Sequence, residues 1–209
     1  MFTVAEAKRL TGGGLGYPSK MPGTSYGISA HDCITGAKLA KVEGSVCHGC
    51  YALKGNYGFS GVKLAHKNRL ASIAGAAWSQ AMAFLINRSG SKWHRWHDSG
   101  DLQSVAHLTK IATVAALTPK VRHWLPTREL GIVQSYVAQG GTVPDNLLIR
   151  VSATMVDGNA TKAWPTTSGV HKNKPAQGRT CPAPKQNNEC GKCRSCWSKD
   201  VAHVSYHKH

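Results

Sequence analysis

Alternating strand-like and helix-like segments are the feature that most restricts how this chain can fold. Strand patterns, rich in β-branched or alternating residues, fall at residues 25–30, 93–97, 121–125, 146–154 and 168–171. Helical patterns, with apolar residues at steps of three and four, fall at residues 62–87, 102–118 and 129–138. Strands that alternate with helices pair in parallel through helical crossovers. The sequence therefore predicts an α/β fold, a partial β/α-barrel-like parallel sheet of about four to five strands.

Polar side chains cluster where three of these strands end. In parallel sheets the carboxyl ends of the strands hold the chemistry, so we expect these residues to line one mouth. They are His97, Asp98, Ser99 and Asp101, then Thr127 and Arg128, then Arg150 and Ser152. The candidates for catalysis are His97, Asp98 and Arg128.

Each of these candidates also has a structural interpretation. His97 beside Asp98 is either an oriented acid–base group or a buried structural histidine. Asp101 precedes a helix and suits an N-cap as well as it suits catalysis. Arg128 at a basic mouth is placed to face an anionic substrate or a cofactor carboxylate.

The cysteines fall into two groups, three near the N-terminus and four near the C-terminus, and their odd total of seven excludes complete internal pairing. The first residues lack a basic start followed by an apolar run, so we expect a cytoplasmic protein without a signal peptide. No apolar run approaches the ~18 residues of a membrane span, and we expect no membrane partner. In a reducing compartment clustered cysteines are more often metal ligands than disulfides.

The C-terminal group has the spacing Cys181-x8-Cys190-x2-Cys193-x2-Cys196. Successive two-residue gaps let each thiolate take a different iron, as in bacterial ferredoxins. Zinc more often takes two separated C-x2-C pairs, so the spacing favours a 4Fe–4S cluster and leaves zinc open. The surrounding residues are too polar to build a core and would need a metal to order them. We predict an α/β domain over 1–170 and a Cys-rich metal-binding segment over 171–209.

The N-terminal group has the spacing Cys33-x13-Cys47-x2-Cys50. Three cysteines leave one position of a cubane open, and an open iron can bind substrate or cofactor directly. The alternative is one structural C-x2-C pair with Cys33 as a buried thiol. The division of all seven cysteines into three and four favours one or two clusters.

The chain is strongly basic. Lys and Arg outnumber Asp and Glu by 26 to 10, which gives a formal charge of +16. Such a surface attracts polyanions, so nucleic acid or an acidic host protein is a candidate partner. The positive residues are scattered, and a basic but inert surface is the alternative.

Four stretches carry a resemblance: CITGAKLAKVEGSVCHGCYALKG, RWHDSGDLQS, LPTRE and the ending CGKCRSCW with VSYHKH. Together they resemble the phage gene-product-88 family. More distantly, the three-cysteine loop followed by Tyr-Ala is similar to the radical S-adenosylmethionine superfamily, whose loop follows the first strand of a partial β/α barrel. The resemblance implies that Tyr51 lies against the adenine. It also implies that Ser99, Gly100 and Asp101 hold the methionine amino group, and that Arg150 and Ser152 contact the ribose.

The chain departs from that superfamily in two places. Its first cysteine gap is 13 residues instead of three, and HDSGD stands where Gly-Gly-Glu-Pro is usual. Two functions therefore follow. One is a radical S-adenosylmethionine-like enzyme that takes electrons from a donor protein and uses S-adenosylmethionine as a cofactor. The other is a non-catalytic iron–sulfur or zinc protein that binds nucleic acid or a host protein.

Overall fold

The computed structural model describes residues 2–208, and the elements alternate along most of this length. The helices are α1 Val4–Leu10, α2 Ile34–Leu39, α3 Ser60–Ser72, α4 Trp78–Arg88, α5 Val105–Leu117 and α6 Leu130–Ala138. The strands are β1 Thr24–Tyr26, β2 Trp93–Trp96, β3 Arg122–Thr127, β4 Leu147–Val156, β5 Thr167–His171, β6 Arg179–Thr180 and β7 His203–His207. Short 3-10 turns lie at Ala30–Asp32, Tyr51–Leu53, Gly55–Gly58, Ala183–Lys185 and Ser195–Trp197. No helix in this part of the chain combines the length and apolar character needed to cross a membrane.

All seven strands form one parallel sheet in the order β1-β2-β3-β4-β5-β7-β6. The sheet is open, with β1 and β6 at its two edges. The predicted parallel α/β architecture is confirmed, but the predicted count of about four to five strands is too low. The chain forms seven because two further strands come from the C-terminal segment.

The two missed strands explain the low count. Strand β6 has only two residues, and β7, with the sequence HVSYH, carries little apolar signal. Strand β7 lies between β5 and β6, so residues 171–209 contribute to the same sheet as the rest of the chain. The predicted boundary after residue 170 falls inside β5. The division into two folding units stays a prediction.

Helices α1, α4, α5 and α6 form a layer on one face of the sheet, and the main apolar core lies beneath them. Trp78 and Trp96 are fully buried there with the phenol ring of Tyr26. The single helix predicted over 62–87 is wrong: α3 ends at Ser72, and α4 begins at Trp78 after a turn at Gly75. Trp78 packs in the core, as predicted.

The opposite face of the sheet is covered by the C-terminal segment. The indole of Trp197, 3% exposed, packs its edge against the rings of Trp93 and Trp124 at 5.6 and 5.1 Å and donates a hydrogen bond to the carbonyl of His94. The fully buried Arg150 projects from β4 on the same side. This face therefore has a mixed aromatic and cationic interior.

Candidate metal centre

The turn after β2 is fixed against the end of β1. The N–H of Ile28 donates to the carbonyl of Ser99, and the N–H of His97 donates to that of Tyr26. Gly100 has φ +84°, and a Cβ there would lie 2.4 Å from Ile28 Cγ1. Only glycine allows this close approach of the two strand ends. The turn thus brings the predicted residues 97–101 next to the chain that leads to Cys33.

Asp101 ties the β2 turn to the end of β3. Its buried carboxylate accepts hydrogen bonds from the Thr127 hydroxyl at 2.6 Å, the Leu102 N–H at 2.7 Å and the Arg128 N–H at 2.8 Å. Burial raises its pKa from 3.8 to about 6, although these hydrogen bonds act in the opposite direction. The alternative role of helix N-cap is wrong, because Ser104 caps α5.

Glu129 makes the matching connection to the cysteine loop. Its carboxylate, 6% exposed, accepts from both the N–H and the hydroxyl of Thr35 at 2.8 Å each. Thr35 is two residues after Cys33, so the end of β3 holds the start of α2 in place. Sequence reasoning missed Glu129. The available signal was an acidic residue directly after Thr127-Arg128 in a chain with few carboxylates.

The sulfurs of Cys33 and Cys47 face one small space above Gly36. A Cβ on Gly36 would lie 3.4 Å from the Cys33 sulfur and 3.6 Å from the Cys47 sulfur. It would also lie 2.9 Å from the Cys33 Cβ, which is too close for any side chain. Gly36 therefore leaves a cradle between two thiols, and Cys50 is near enough to raise the pKa of both.

The N-terminal thiols lie in a site that disfavours free thiolates. Burial raises the pKa of Cys33 to about 12, and the Asp101 carboxylate and the other two thiols add to this. The pKa of Cys47 is raised for the same main reason. The Arg128 guanidinium opposes both shifts, which places the predicted Arg128 beside these sulfurs.

The four C-terminal cysteines influence one another electrostatically. Burial raises the pKa of Cys181, Cys190 and Cys196, the last to about 11. Cys181 contributes to the shifts of Cys190 and Cys196, and Cys193 contributes to those of Cys181 and Cys190. The Cys196 sulfur lies 3.2 Å from the Tyr206 hydroxyl of β7. All seven cysteines are free thiols rather than disulfides.

Arg95 lies between Tyr51 at the mouth and the C-terminal cysteines. Its guanidinium packs over the Trp124 ring, with the Cζ atom 4.7 Å from the ring centroid. Burial opposes its charge, but Tyr51, Asp98 and Tyr206 raise the pKa of Arg95 overall. On the C-terminal side the same guanidinium lowers the pKa of Cys190 and of Cys196. Arg95 is a second residue that sequence reasoning did not select.

Two predicted site residues, His97 and Ser152, have other partners. His97 has φ +60° and packs its ring against His107 at 5.2 Å, with both ring nitrogens buried and unbonded. Its imidazole therefore turns toward α5 and is not hydrogen-bonded to Asp98. Ser152 shares a 3.0 Å hydrogen bond with Ser168.

Arg150 has its guanidinium directed at the C-terminal segment. It donates to the carbonyls of Thr167, Ser195, Ser198, Val201 and Ala202, at 2.8 to 3.3 Å. This guanidinium connects β4 to the peptide groups that flank Cys196.

Tyr51 stays at the mouth. Its hydroxyl donates to the carbonyl of Asp98 at 2.7 Å, and its side chain is 59% exposed. Asp98 itself has a buried carboxylate oxygen without a partner, and the Ser99 hydroxyl is buried and unbonded as well. The structure thus brings Tyr51, Asp98, Asp101 and Arg128 together near the N-terminal cysteines.

Within residues 2–208 no group of three or more His, Cys, Asp or Glu residues is arranged to hold a metal ion. The predicted C-terminal metal-binding segment is therefore not confirmed. Fold and site together define an open parallel α/β protein with a three-thiol loop at the carboxyl ends of its first strands.

The family model for gene product 88 matches residues 2–199. The chain belongs to this phage gene-product family, as the motifs in the sequence indicated. No curated protein and no solved structure matches it.

Proposed function

We propose that this chain is an iron–sulfur protein that holds a 4Fe–4S cluster with Cys33, Cys47 and Cys50. The observation that supports this most is the cradle at Gly36, where two free thiols face one space beside Arg128. Three thiols leave one iron without a protein ligand, and that position is open to a substrate or cofactor.

The donor set suits a cluster better than a single ion. A structural zinc ion takes four protein ligands around one point, with Zn–S distances of ~2.3 Å, and this loop supplies three thiols. A cubane spaces its ligands further apart, because each thiolate binds a different iron. The raised pKa of Cys33 and Cys47 means that metal binding must displace the thiol protons, which makes binding weaker at low pH.

The protein groups around the cradle have distinct roles in this proposal. The Arg128 guanidinium supplies positive charge beside the thiolates. Glu129 fixes the loop to the end of β3, and Asp101 ties the β2 turn to the same strand end. When bound, a reduced 4Fe–4S cluster supplies single electrons, delivered to it by a donor protein.

S-adenosylmethionine is the cofactor that we propose for the open position. The Tyr51 ring is held through its hydroxyl and packs its edge against Tyr57, and the rest of the side chain is exposed and available to stack on the adenine. Ser99, Gly100 and Asp101 lie at the β2 turn, where they would receive the methionine amino group. Ser152 is half-buried on β4 and would contact the ribose, while Arg150 supports the site by holding the C-terminal segment.

The C-terminal quartet is proposed to hold a second 4Fe–4S cluster, with zinc as the alternative metal. Cys181, Cys190, Cys193 and Cys196 share one electrostatic neighbourhood, and Arg95 and Arg150 lower the pKa of Cys196. These cations would offset the negative charge of a cluster bound to four thiolates.

The first test is the iron, sulfide and zinc content of protein purified without air. Two cubanes give about eight irons per chain, and one cubane with zinc gives about four. Cys33→Ser and Cys196→Ser should each remove about four irons and leave the other group's signal unchanged. A colourless, iron-free protein after anaerobic reconstitution would refute the proposal.

The second test separates an enzyme from a binding protein. S-adenosylmethionine should change the electron paramagnetic resonance spectrum of the reduced N-terminal cluster, and Cys33→Ser should abolish the change. Cleavage of the cofactor under reductant is the accompanying activity. If neither the spectrum nor the cofactor changes, the enzyme hypothesis fails while the cluster hypothesis stands.

A non-catalytic binding protein is the second candidate, and charge favours it. Within residues 2–208 the one ion pair joins Lys199 to Asp145 at 3.0 Å, so most of the 26 Lys and Arg side chains have no carboxylate partner. Nucleic acid or an acidic host protein is the expected partner. Binding to DNA and RNA should be measurable at ~50 mM salt and weaken steeply with added salt. No binding at low salt would exclude the nucleic-acid version.

A further inference from the structure

A cavity of about 350 Å³ opens beside the N-terminal cysteine loop. It is bordered on one side by the chain that leads to Cys33, at Ser29 and Asp32, and on another by Ala52, two residues after Cys50. Helix α3 closes it with Lys63, His66 and Lys67. This volume is at the lower end of the range for small-molecule sites.

The helix presents an unusual face to this cavity. Lys63, His66 and Lys67 lie at steps of three and four, so they share one side of α3. Two lysines four residues apart repel one another and weaken an isolated helix. Neither forms an ion pair within the described residues. A bound anion would neutralise these two ammonium groups at the mouth of the cavity.

The cavity wall also offers an aromatic surface. The rings of Tyr57 and His66 lie 5.9 Å apart with their planes tilted by 35°. His66 is 6% exposed, and burial with the nearby Arg69 lowers its pKa, so its ring is neutral at pH 7. A flat heterocycle can stack on such a pair.

We propose that this cavity binds a phosphorylated small molecule of nucleoside monophosphate size. Lys63 and Lys67 contact the phosphate at the mouth, and the base packs against Tyr57 and His66. Asp32 is the one carboxylate in the lining, and it faces the ribose hydroxyls rather than the phosphate. None of the three N-terminal cysteines lines the cavity, so this site is separate from the open position of the proposed cluster. The inference does not rest on the proposed function.

The test is a calorimetric titration of the full chain with adenosine 5′-monophosphate, inorganic phosphate and adenosine. The monophosphate should bind more tightly than either fragment. Lys63→Gln with Lys67→Gln should weaken it at least about tenfold, because two charge-assisted contacts are lost. Lys120→Gln with Lys162→Gln removes two exposed charges away from the cavity and should change the affinity less than twofold.

A third variant tests the aromatic wall. Tyr57→Leu should reduce the affinity for the monophosphate toward that for inorganic phosphate and leave the latter unchanged. Equal weakening by both lysine pairs would show general charge attraction and overturn the proposal. Failure of the unaltered protein to bind the monophosphate, or binding of polynucleotides alone, would overturn it too.

Discussion

The two cysteine groups are held in opposite ways. The N-terminal loop is tied to the strand ends by short polar contacts of Glu129 and Tyr51, and it exposes apolar side chains such as Ile34, 42% accessible. The C-terminal segment is built into the protein by a buried indole, a buried guanidinium and a strand of the sheet. A loop that is attached by a few hydrogen bonds near the surface can admit a ligand. A segment that is attached by buried side chains and a sheet strand contributes mainly to stability. We therefore expect substrate chemistry at the first group only.

The largest effect should come from the contact that holds the C-terminal segment. Arg150→Met leaves five carbonyls without their donor, and we expect the free energy of unfolding to fall by about 3–5 kcal/mol. Urea denaturation followed by tryptophan fluorescence measures this. Arg150→Lys should retain part of the stability.

Arg122→Met serves as the control, because it makes the same change on an exposed residue of β3. A loss below ~1 kcal/mol for Arg150→Met would show that this guanidinium does not order the segment.

Asp101 gives the N-terminal side a distinct pH dependence. Its folded pKa, about 6, is above its ordinary value of 3.8, so the folded state binds the extra proton. Its contribution to stability is full below pH ~4 and is lost as the pH rises through ~6, by about 3 kcal/mol.

Asp101→Asn removes this titration but leaves the Arg128 N–H without an acceptor. Near pH 4 the variant should therefore be less stable than the parent by ~1–3 kcal/mol. As the pH rises to 7 the parent loses about 3 kcal/mol of stability and the variant does not, so the stability of the variant relative to the parent should rise by about 3 kcal/mol. Urea denaturation across this range gives the difference between the two proteins. A constant difference would contradict the raised pKa.

Gly36→Ala tests the cradle itself. The added Cβ meets the Cys33 Cβ and fills the space between two sulfurs, so the N-terminal group should lose its iron. The free energy of unfolding should fall by ~1–3 kcal/mol, because the contact with the Cys33 Cβ forces a local shift of the loop. Gly61→Ala in α3 is the control: its added Cβ has no atom within 4 Å, and this variant should keep its full iron content. Normal iron content in the Gly36 variant would place the cluster elsewhere.

The smallest effect is expected from Tyr51→Phe. It removes one exposed hydrogen bond to the Asp98 carbonyl and should cost ~0.5–1 kcal/mol, confined to the loop. Amide exchange of residues 33–53 should quicken while the sheet is unchanged. Tyr17→Phe, at a side chain 71% exposed, is the control. Faster exchange of β7 amides would mean that the two groups are not held independently.

Local patterns predicted the centre of the sheet well. Strands β2 to β4 and helices α5 and α6 have clear periodicities, and their parallel order placed Cys33 and Arg128 at one mouth. The C-terminal strands were not predicted, because HVSYH forms a strand by pairing with its neighbours in the sheet and not because of its own composition. The partners of Arg150 lie 17 to 52 residues away along the chain, and no local pattern shows which carbonyls surround a buried guanidinium. Glu129 was missed for the same reason, because Thr35 lies 94 residues away.

Arg95 places one buried positive charge between the Tyr51 side of the mouth and the C-terminal thiols. The same guanidinium lowers the pKa of Cys190 and Cys196 on one side and opposes the raised pKa of the Tyr57 phenol on the other. One interior cation therefore influences the acidity of thiols and of a phenol that belong to different parts of the chain, and its loss would make both kinds of group harder to deprotonate.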